Sequence, residues 1–310
     1  MLNLMVYTEG KKMASHTKII ACAIQKGGVG KTTLSVNLAY LLAEDNYPEK
    51  GKSIPRKAHS VTVMDSDPQG NATLTLLTRD KNIDLDLAPS QTTAAFYGWS
   101  EDEDGHVTLG NDTPDPKAIT IDPVFGAYYT GLIKVIPSHP DALSDVEQLD
   151  PDKVYQVAER IRAYAEKCDS DVLIIDCSPQ LGMRQLVAML AADHIITPIK
   201  SDSYSEKGLT SFTETFIAIR EANENCQLHV IPNMIDLKSP ENQKIIDSMR
   251  EELGDAMTTN QIPYSNSINK AITSGRPPWR KAPSGNDASV GRQFRIALSE
   301  VLGRCGLVAE

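Results

Sequence analysis

Gln25-Lys26-Gly27-Gly28-Val29-Gly30-Lys31-Thr32-Thr33 joins an apolar β-branched run, Lys18–Ile24, to a helical pattern over Leu34–Leu42. Strand, glycine-rich turn and helix in that order make a phosphate cradle. The glycines let backbone N–H groups wrap the phosphates, and the helix N-terminus adds its positive end. Lys31 is placed to reach β- and γ-phosphates, and the Thr32 hydroxyl to ligate Mg²⁺. The common spacing G-x-x-x-x-G-K-[ST] is met only if Gln25 replaces the first glycine, so the motif is a variant, K-G-G-V-G-K-T-T, with a second lysine at Lys26. Gly27, Gly28, Val29, Gly30 and Thr33 complete the expected nucleotide-binding loop. A loop-entrance lysine does not fold back easily onto phosphates already held by Lys31. Chemistry leaves two readings of Lys26 open: a solvated loop cation, or a cation reaching the phosphates of a neighbouring subunit as an arginine finger does.

Outward from the loop, further apolar runs alternate with helical patterns. Candidate strands are Ser60–Met64, Leu132–Ile136, Val172–Ile175, His194–Pro198 and Leu228–Ile231; helices are expected to begin at Lys31, Pro151, Gln180, Ser205, Pro240 and Ala288. This alternation predicts an α/β fold, a mostly parallel central β-sheet with helices on both faces, whose ligands bind at the C-terminal strand ends. Two carboxylates stand at such ends. Asp65 and Asp67, at i and i+2 in Met64-Asp65-Ser66-Asp67-Pro68-Gln69-Gly70, project to one face, one to orient water and the other to support Mg²⁺. Asp176 ends the run Asp171–Ile175 in the position of a Walker B acid.

With 310 residues, 41% hydrophobic and 23% charged, the chain is long enough for one large α/β core. Residues 1–17 read as a flexible leader, and 18–310 as a single domain with insertions near 44–60 and 80–131. No apolar run approaches the ~20 residues that span a bilayer, so no membrane association is expected. Five cysteines without metal-ligand spacing fit a reduced, cytoplasmic protein. The formal charge of −10 argues against general adhesion to nucleic acid, but it is unevenly spread. Ten acids lie between Asp80 and Asp122 against Lys81 and Lys117, and seven bases between Lys270 and Arg304 against Asp287 and Glu300. These are either ordinary solvated surfaces or an acidic insertion and a basic face able to meet phosphates.

KGGVGKTT, then DxDPQGNAT, then an apolar strand ending in Asp-x-x-Pro, resembles the ParA-type deviant Walker A partition ATPases of the MinD/ParA group. Val135-Ile136-Pro137-Ser138, Ile196-Thr197-Pro198-Ile199 leading to Gly208-Leu209, Asn233, Ile262-Pro263, Ala271 and Gly275 extend the match from Lys18 to the C-terminal helix. The resemblance implies ATP with Mg²⁺ and a sandwich homodimer in which Lys26 crosses to the partner's phosphates. It assigns hydrolysis to Asp67 with Lys26 and Lys31, and Mg²⁺ to Thr32, Asp65 and Asp176. It also implies adenine contacts from Asn233, with Pro263 and Tyr264 along the base. Non-specific DNA binding is implied for Lys238, Lys270, Arg276, Arg280 and Lys281, in a nucleoid-associated protein whose hydrolysis a ParB-like centromere-binding partner stimulates. Positioning of a protein cargo, or a MinD-like role at a membrane, are the alternatives in the same group. The scattered cysteines disfavour an iron–sulfur reductase relative, and the short leader leaves no room for an N-terminal helix-turn-helix domain. The Phe294, Leu298, Val301 and Leu302 stripe is expected to pack on the core.

Overall fold

The computed structural model describes residues 17–44, 46–49, 52–55, 57–77, 87–98, 114, 117–118, 131–148, 153–180, 182–201, 206–280 and 284–307. The expected leader, apart from Thr17, lies outside them, as do Lys281 and most of the acidic segment.

Nine strands are present among the described residues: β1 Lys18–Cys22, β2 Asn46–Glu49, β3 Lys52–Pro55, β4 Val61–Ser66, β5 Lys117–Ala118, β6 Ile133–Ile136, β7 Val172–Cys177, β8 His194–Ile199 and β9 Gln227–Pro232. Seven form one sheet in the order β5-β6-β4-β7-β1-β8-β9, parallel throughout except for the two-residue edge strand β5. The central strands β4, β7 and β8 are buried along their whole length. This accounts for continuous apolar runs in place of polar alternation.

The helices are α1 Lys31–Ala43, α2 Asn71–Leu77, α3 Pro140–Asp145, α4 Lys153–Ala165, α5 Met183–Ala191, α6 Glu206–Ala222, α7 Pro240–Leu253, α8 Asn266–Thr273 and α9 Gly285–Arg304. One face of the sheet packs against α1, α2 and α9, with Leu38, Leu42, Leu76, Phe294 and Leu298 in its core. The other packs against α3, α4 and α5, with Val157, Ile161 and Val187. Each face is thus covered by helices, as the alternating pattern predicts. Phe294, Leu298, Val301 and Leu302 are all buried on the core.

Sequence periodicity does not find α2, α3 or α8, which are six to eight residues long, too short to establish a helical repeat. Both segments expected as insertions contain regular structure among the described residues. Within 44–60 a separate antiparallel hairpin pairs β2 with β3. Within 80–131, Thr93–Tyr97 forms a short 3-10 helix that buries Phe96 and Tyr97 completely; Phe96 meets Tyr164 of α4 edge-on, centroids 5.2 Å apart. That part of the acidic segment belongs to the core.

Candidate functional site

The loop between β1 and α1 turns on two left-handed glycines, Gly28 at φ 70° and Gly30 at φ 95°. Gly30 is the N-cap of α1 and carries no capping side chain, so the first N–H groups of that helix remain directed at the loop. Its own Cα is approached closely: a Cβ there would collide with Asn233 Nδ2. Lys31, 7% exposed, folds over the loop and donates from Nζ to the Lys26 carbonyl at 3.0 Å. Burial lowers the pKa of its ammonium, while the nearby Asp176 and Asp67 carboxylates oppose the shift. Lys26 is exposed at the loop's outer surface. The two lysines therefore occupy different environments, one enclosed and one outward.

Strand order sets the carboxylates beside this loop. β7 lies between β4 and β1, and the register pairs Asp176 with Asp65 on one side and Cys22 on the other. Both acids are fully buried. Burial first, and Asp65's charge second, push the Asp176 carboxyl up to about 7. Asp65 is raised to about 6, again by burial, against hydrogen bonds from Thr73. Ser35 Oγ donates to Asp176 Oδ1 at 2.8 Å. Oδ2 is buried and accepts no well-formed hydrogen bond among the described residues, although the neighbouring Thr32 hydroxyl favours the charged carboxylate. A buried, under-coordinated carboxylate oxygen next to a threonine hydroxyl is a donor set that fits a hydrated Mg²⁺.

The remaining residues take more varied places. Asp65 is engaged elsewhere: its Oδ2 accepts from the Thr73 amide at 2.8 Å and hydroxyl at 2.7 Å, and its Oδ1 from the Asp67 amide at 3.2 Å. It ties the Asp67–Thr73 turn to β4. Asp67, 7% exposed, accepts from the Gln69 amide through Oδ1, while Ser138 Oγ donates to its backbone carbonyl at 2.5 Å. Asn233 is buried and donates from Nδ2 to the Val29 carbonyl at 2.7 Å, so its amide group braces the loop. Pro263 is bridged to Ile235 two residues beyond Asn233, and Tyr264 stands beside it with 62% of its surface exposed. Met234 is the one non-glycine residue with positive φ, at 57°, among the described residues; its methyl group lies 3.4 Å from where a Gly30 Cβ would sit.

Of the expected DNA-contacting bases, Lys238 and Lys270 are exposed and Arg276 is partly so. Lys270 and Arg276 line one small cleft of about 210 Å³. Arg280 corrects the expectation. It is 5% exposed, and its Nε pairs with Glu44 Oε1 at 3.0 Å, beside the Trp279 indole N–H on the same oxygen at 2.6 Å. A guanidinium held in a buried pair is withdrawn from any phosphate at the surface. Ser35, Thr73, Ser138 and Met234 are the site residues that motif reading leaves out. Two of them lie inside quoted motifs, Thr73 at the end of DxDPQGNAT and Ser138 at the end of Val135-Ile136-Pro137-Ser138.

A family model described as an AAA domain matches residues 17–230. Protein IncC of Escherichia coli is 29% identical over 267 residues, 85% of this chain; the chain spans 63% of IncC's length. The sporulation initiation inhibitor protein Soj of Bacillus subtilis is 27% identical over 88% of this chain and 94% of its own. In fold, the chain resembles a putative plasmid partition protein from Borrelia burgdorferi bound to AMPPNP, with a TM-score of 0.66 at 18% identity, covering 93% of this chain and 99% of that one. It is similar to a Cyanothece McdA–ATP complex as well, with a TM-score of 0.65 at 21% identity over 94% and 98%. The strand order, the two-lysine loop and these relatives agree, and the chain belongs to the ParA/MinD type of P-loop NTPases.

Proposed function

We propose that this protein is a Mg²⁺-dependent ATPase that dimerises around ATP, binds DNA without sequence preference while dimeric, and lets go on hydrolysis stimulated by a ParB-like partner. The observation that carries the reading is the separation of the two loop lysines. Lys31 is enclosed within its own site, and Lys26 points outward from the same loop. An exposed cation at the mouth of a phosphate cradle is placed to complete a second cradle facing it.

Each residue has a defined part in this scheme. The amides at the start of α1 and the Lys31 ammonium hold the β- and γ-phosphates. Thr32 and Asp176 hold Mg²⁺, and Asp65 positions the Asp67–Thr73 turn. Mg²⁺, when bound, neutralises charge developing on the phosphate oxygens. Asp67 orients the attacking water, and Lys26 of the facing copy supports the charge of the transition state. Asn233 sets the base-side wall with Pro263 and Tyr264. Lys238, Lys270 and Arg276 are the bases left for DNA phosphates once Arg280 is set aside. Such contacts imply salt-sensitive, sequence-indifferent binding, and a cytoplasmic, nucleoid-associated protein.

An ATPase and DNA-binding titration, with and without the product of the neighbouring gene, tests the whole scheme. ATP-dependent DNA binding that the partner reverses by accelerating hydrolysis is expected. ATP hydrolysis with no DNA binding at low salt overturns the partition role. The second reading is a protein cargo moved by the same cycle. A cargo protein in place of a centromere-binding protein as the stimulating partner would establish it.

A further inference from the structure

At the end of the sheet away from the phosphate loop, three potential metal ligands converge. His194 opens β8 and His229 is the third residue of β9; the register pairs His194 with Gln227, so the two histidines are diagonal neighbours on one face. Cys305 caps the C-terminus of α9, the helix that covers that face. One nitrogen from each ring and the Cys305 Sγ all lie within 4.8 Å of one another. All three residues are at most 5% exposed. His194 Nδ1 and His229 Nε2 are 3.1 Å apart, so one of these nitrogens must offer a lone pair.

We propose that His194, His229 and Cys305 form a binding site for a Zn²⁺-class thiophilic cation. With metal–nitrogen bonds of about 2.0 Å and a metal–sulfur bond of about 2.3 Å, tetrahedral donors sit roughly 3.3–3.6 Å apart. The nitrogen pair is already near that separation, and small side-chain rotations bring in the sulfur. Nitrogen–sulfur donors select zinc or cuprous copper over Mg²⁺. The scaffold is stiff: the Cys305 and Leu307 amides donate to Val301 and Leu302 carbonyls, and Arg304 ties the helix end to the carbonyls of Asp255 and Met257. His229 lines a cleft of about 820 Å³ together with Cys226, Asp255 and Arg304, so the cluster borders solvent-accessible space on the His229 side.

Binding replaces the proton between the rings by the metal. That proton is taken up by the other nitrogen of the same imidazole, and the thiol releases its own to solvent. No residue is shared with the nucleotide site; His229 precedes Asn233 by four strand residues, about 13 Å along the chain.

Co²⁺ titration of the chelator-treated full chain, free of nucleotide and Mg²⁺, tests this. A thiolate-to-cobalt band in the near ultraviolet is expected to saturate at one ion per chain and to be displaced by Zn²⁺. The band should be lost in Cys305→Ser and in a His194→Gln, His229→Gln double variant, and kept in Cys226→Ser. ATP hydrolysis by the wild type should be the same with and without Zn²⁺ at this site. Absence of the band in wild-type protein overturns the proposal whether or not the variants fold, and so does a band undiminished in folded Cys305→Ser. In either case the cluster is a hydrogen-bonded histidine pair beside a packed thiol.

Discussion

Asp176→Asn should make the nucleotide-free protein more stable while abolishing its Mg²⁺-dependent function. Asp176 is fully buried, its Oδ2 lacks a well-formed hydrogen bond, and the Asp65 carboxyl stands on the next strand. Moving a carboxyl from 3.8 to about 7 corresponds, at about 1.4 kcal/mol per unit, to roughly 4 kcal/mol of folded-state destabilisation when the group is ionised. Part of that belongs jointly to Asp65, and an asparagine must find an acceptor for its amide. The net gain for the variant above neutral pH is therefore about 1–3 kcal/mol.

The sign with pH follows from the direction of the shift. Folded Asp176 holds its proton more tightly than the unfolded chain does. Its contribution is most favourable below about pH 4, is lost as pH rises to about 7, and is level above. Asparagine does not titrate. Urea unfolding of both proteins at several pH values, without nucleotide or Mg²⁺, should show the variant's advantage growing between about pH 4.5 and 7 and then levelling. Adding ADP and Mg²⁺ should narrow or invert the gap, because the variant keeps the phosphate contacts but the wild type alone gains from Mg²⁺ held at Asp176. A difference independent of pH, or a wild type more stable at about pH 8 without ligand, refutes the reasoning that an under-coordinated buried charge sits here.

Lys31→Ala should lose ATP-dependent DNA binding, whereas Asp67→Ala should bind DNA with ATP and hydrolyse it slowly; normal turnover by Asp67→Ala removes the water-orienting role. Lys26→Ala should keep nucleotide binding, measured by calorimetry, but lose ATP-driven dimerisation in light scattering and at least about 10³-fold in turnover. Gly30→Ala forces a side chain to φ 95° against the Asn233 amide and should cost about 2–4 kcal/mol. Adding Asn233→Ala should recover only the steric part, a coupling readable from a double-mutant cycle. Glu44→Ala leaves Arg280 and the Trp279 N–H without their shared acceptor and should destabilise by about 3–5 kcal/mol in urea melts.

What the sequence reveals, and what it hides, divides along contact distance. The phosphate loop is legible because strand, turn and helix are contiguous: Gly28 and Gly30 need positive φ, and the backbone that wraps the phosphates lies within a dozen positions, whereas the Asn233 brace, 204 residues on, is not legible. Asp65 and Asp176 are legible as strand-end acids, but not as a coupled pair, since their contact depends on β7 inserting between β4 and β1. Arg280 reads like any other base in a basic run, and its partner Glu44 lies 236 residues away. Phe96 and Tyr97 are hidden by the polarity around them, although two adjacent aromatics in an acidic stretch are a signal of burial that composition averages away. The same distance rule governs the histidine–cysteine cluster. His194, His229 and Cys305 have no ligand spacing as a sequence, because a diagonal across two parallel strands and a helix end 76 residues on are brought together only by register and packing. Chemistry carried by one local unit is therefore readable before folding. Chemistry assembled between strands is a property of the sheet order, which for a parallel sheet is set by crossovers that no local motif encodes.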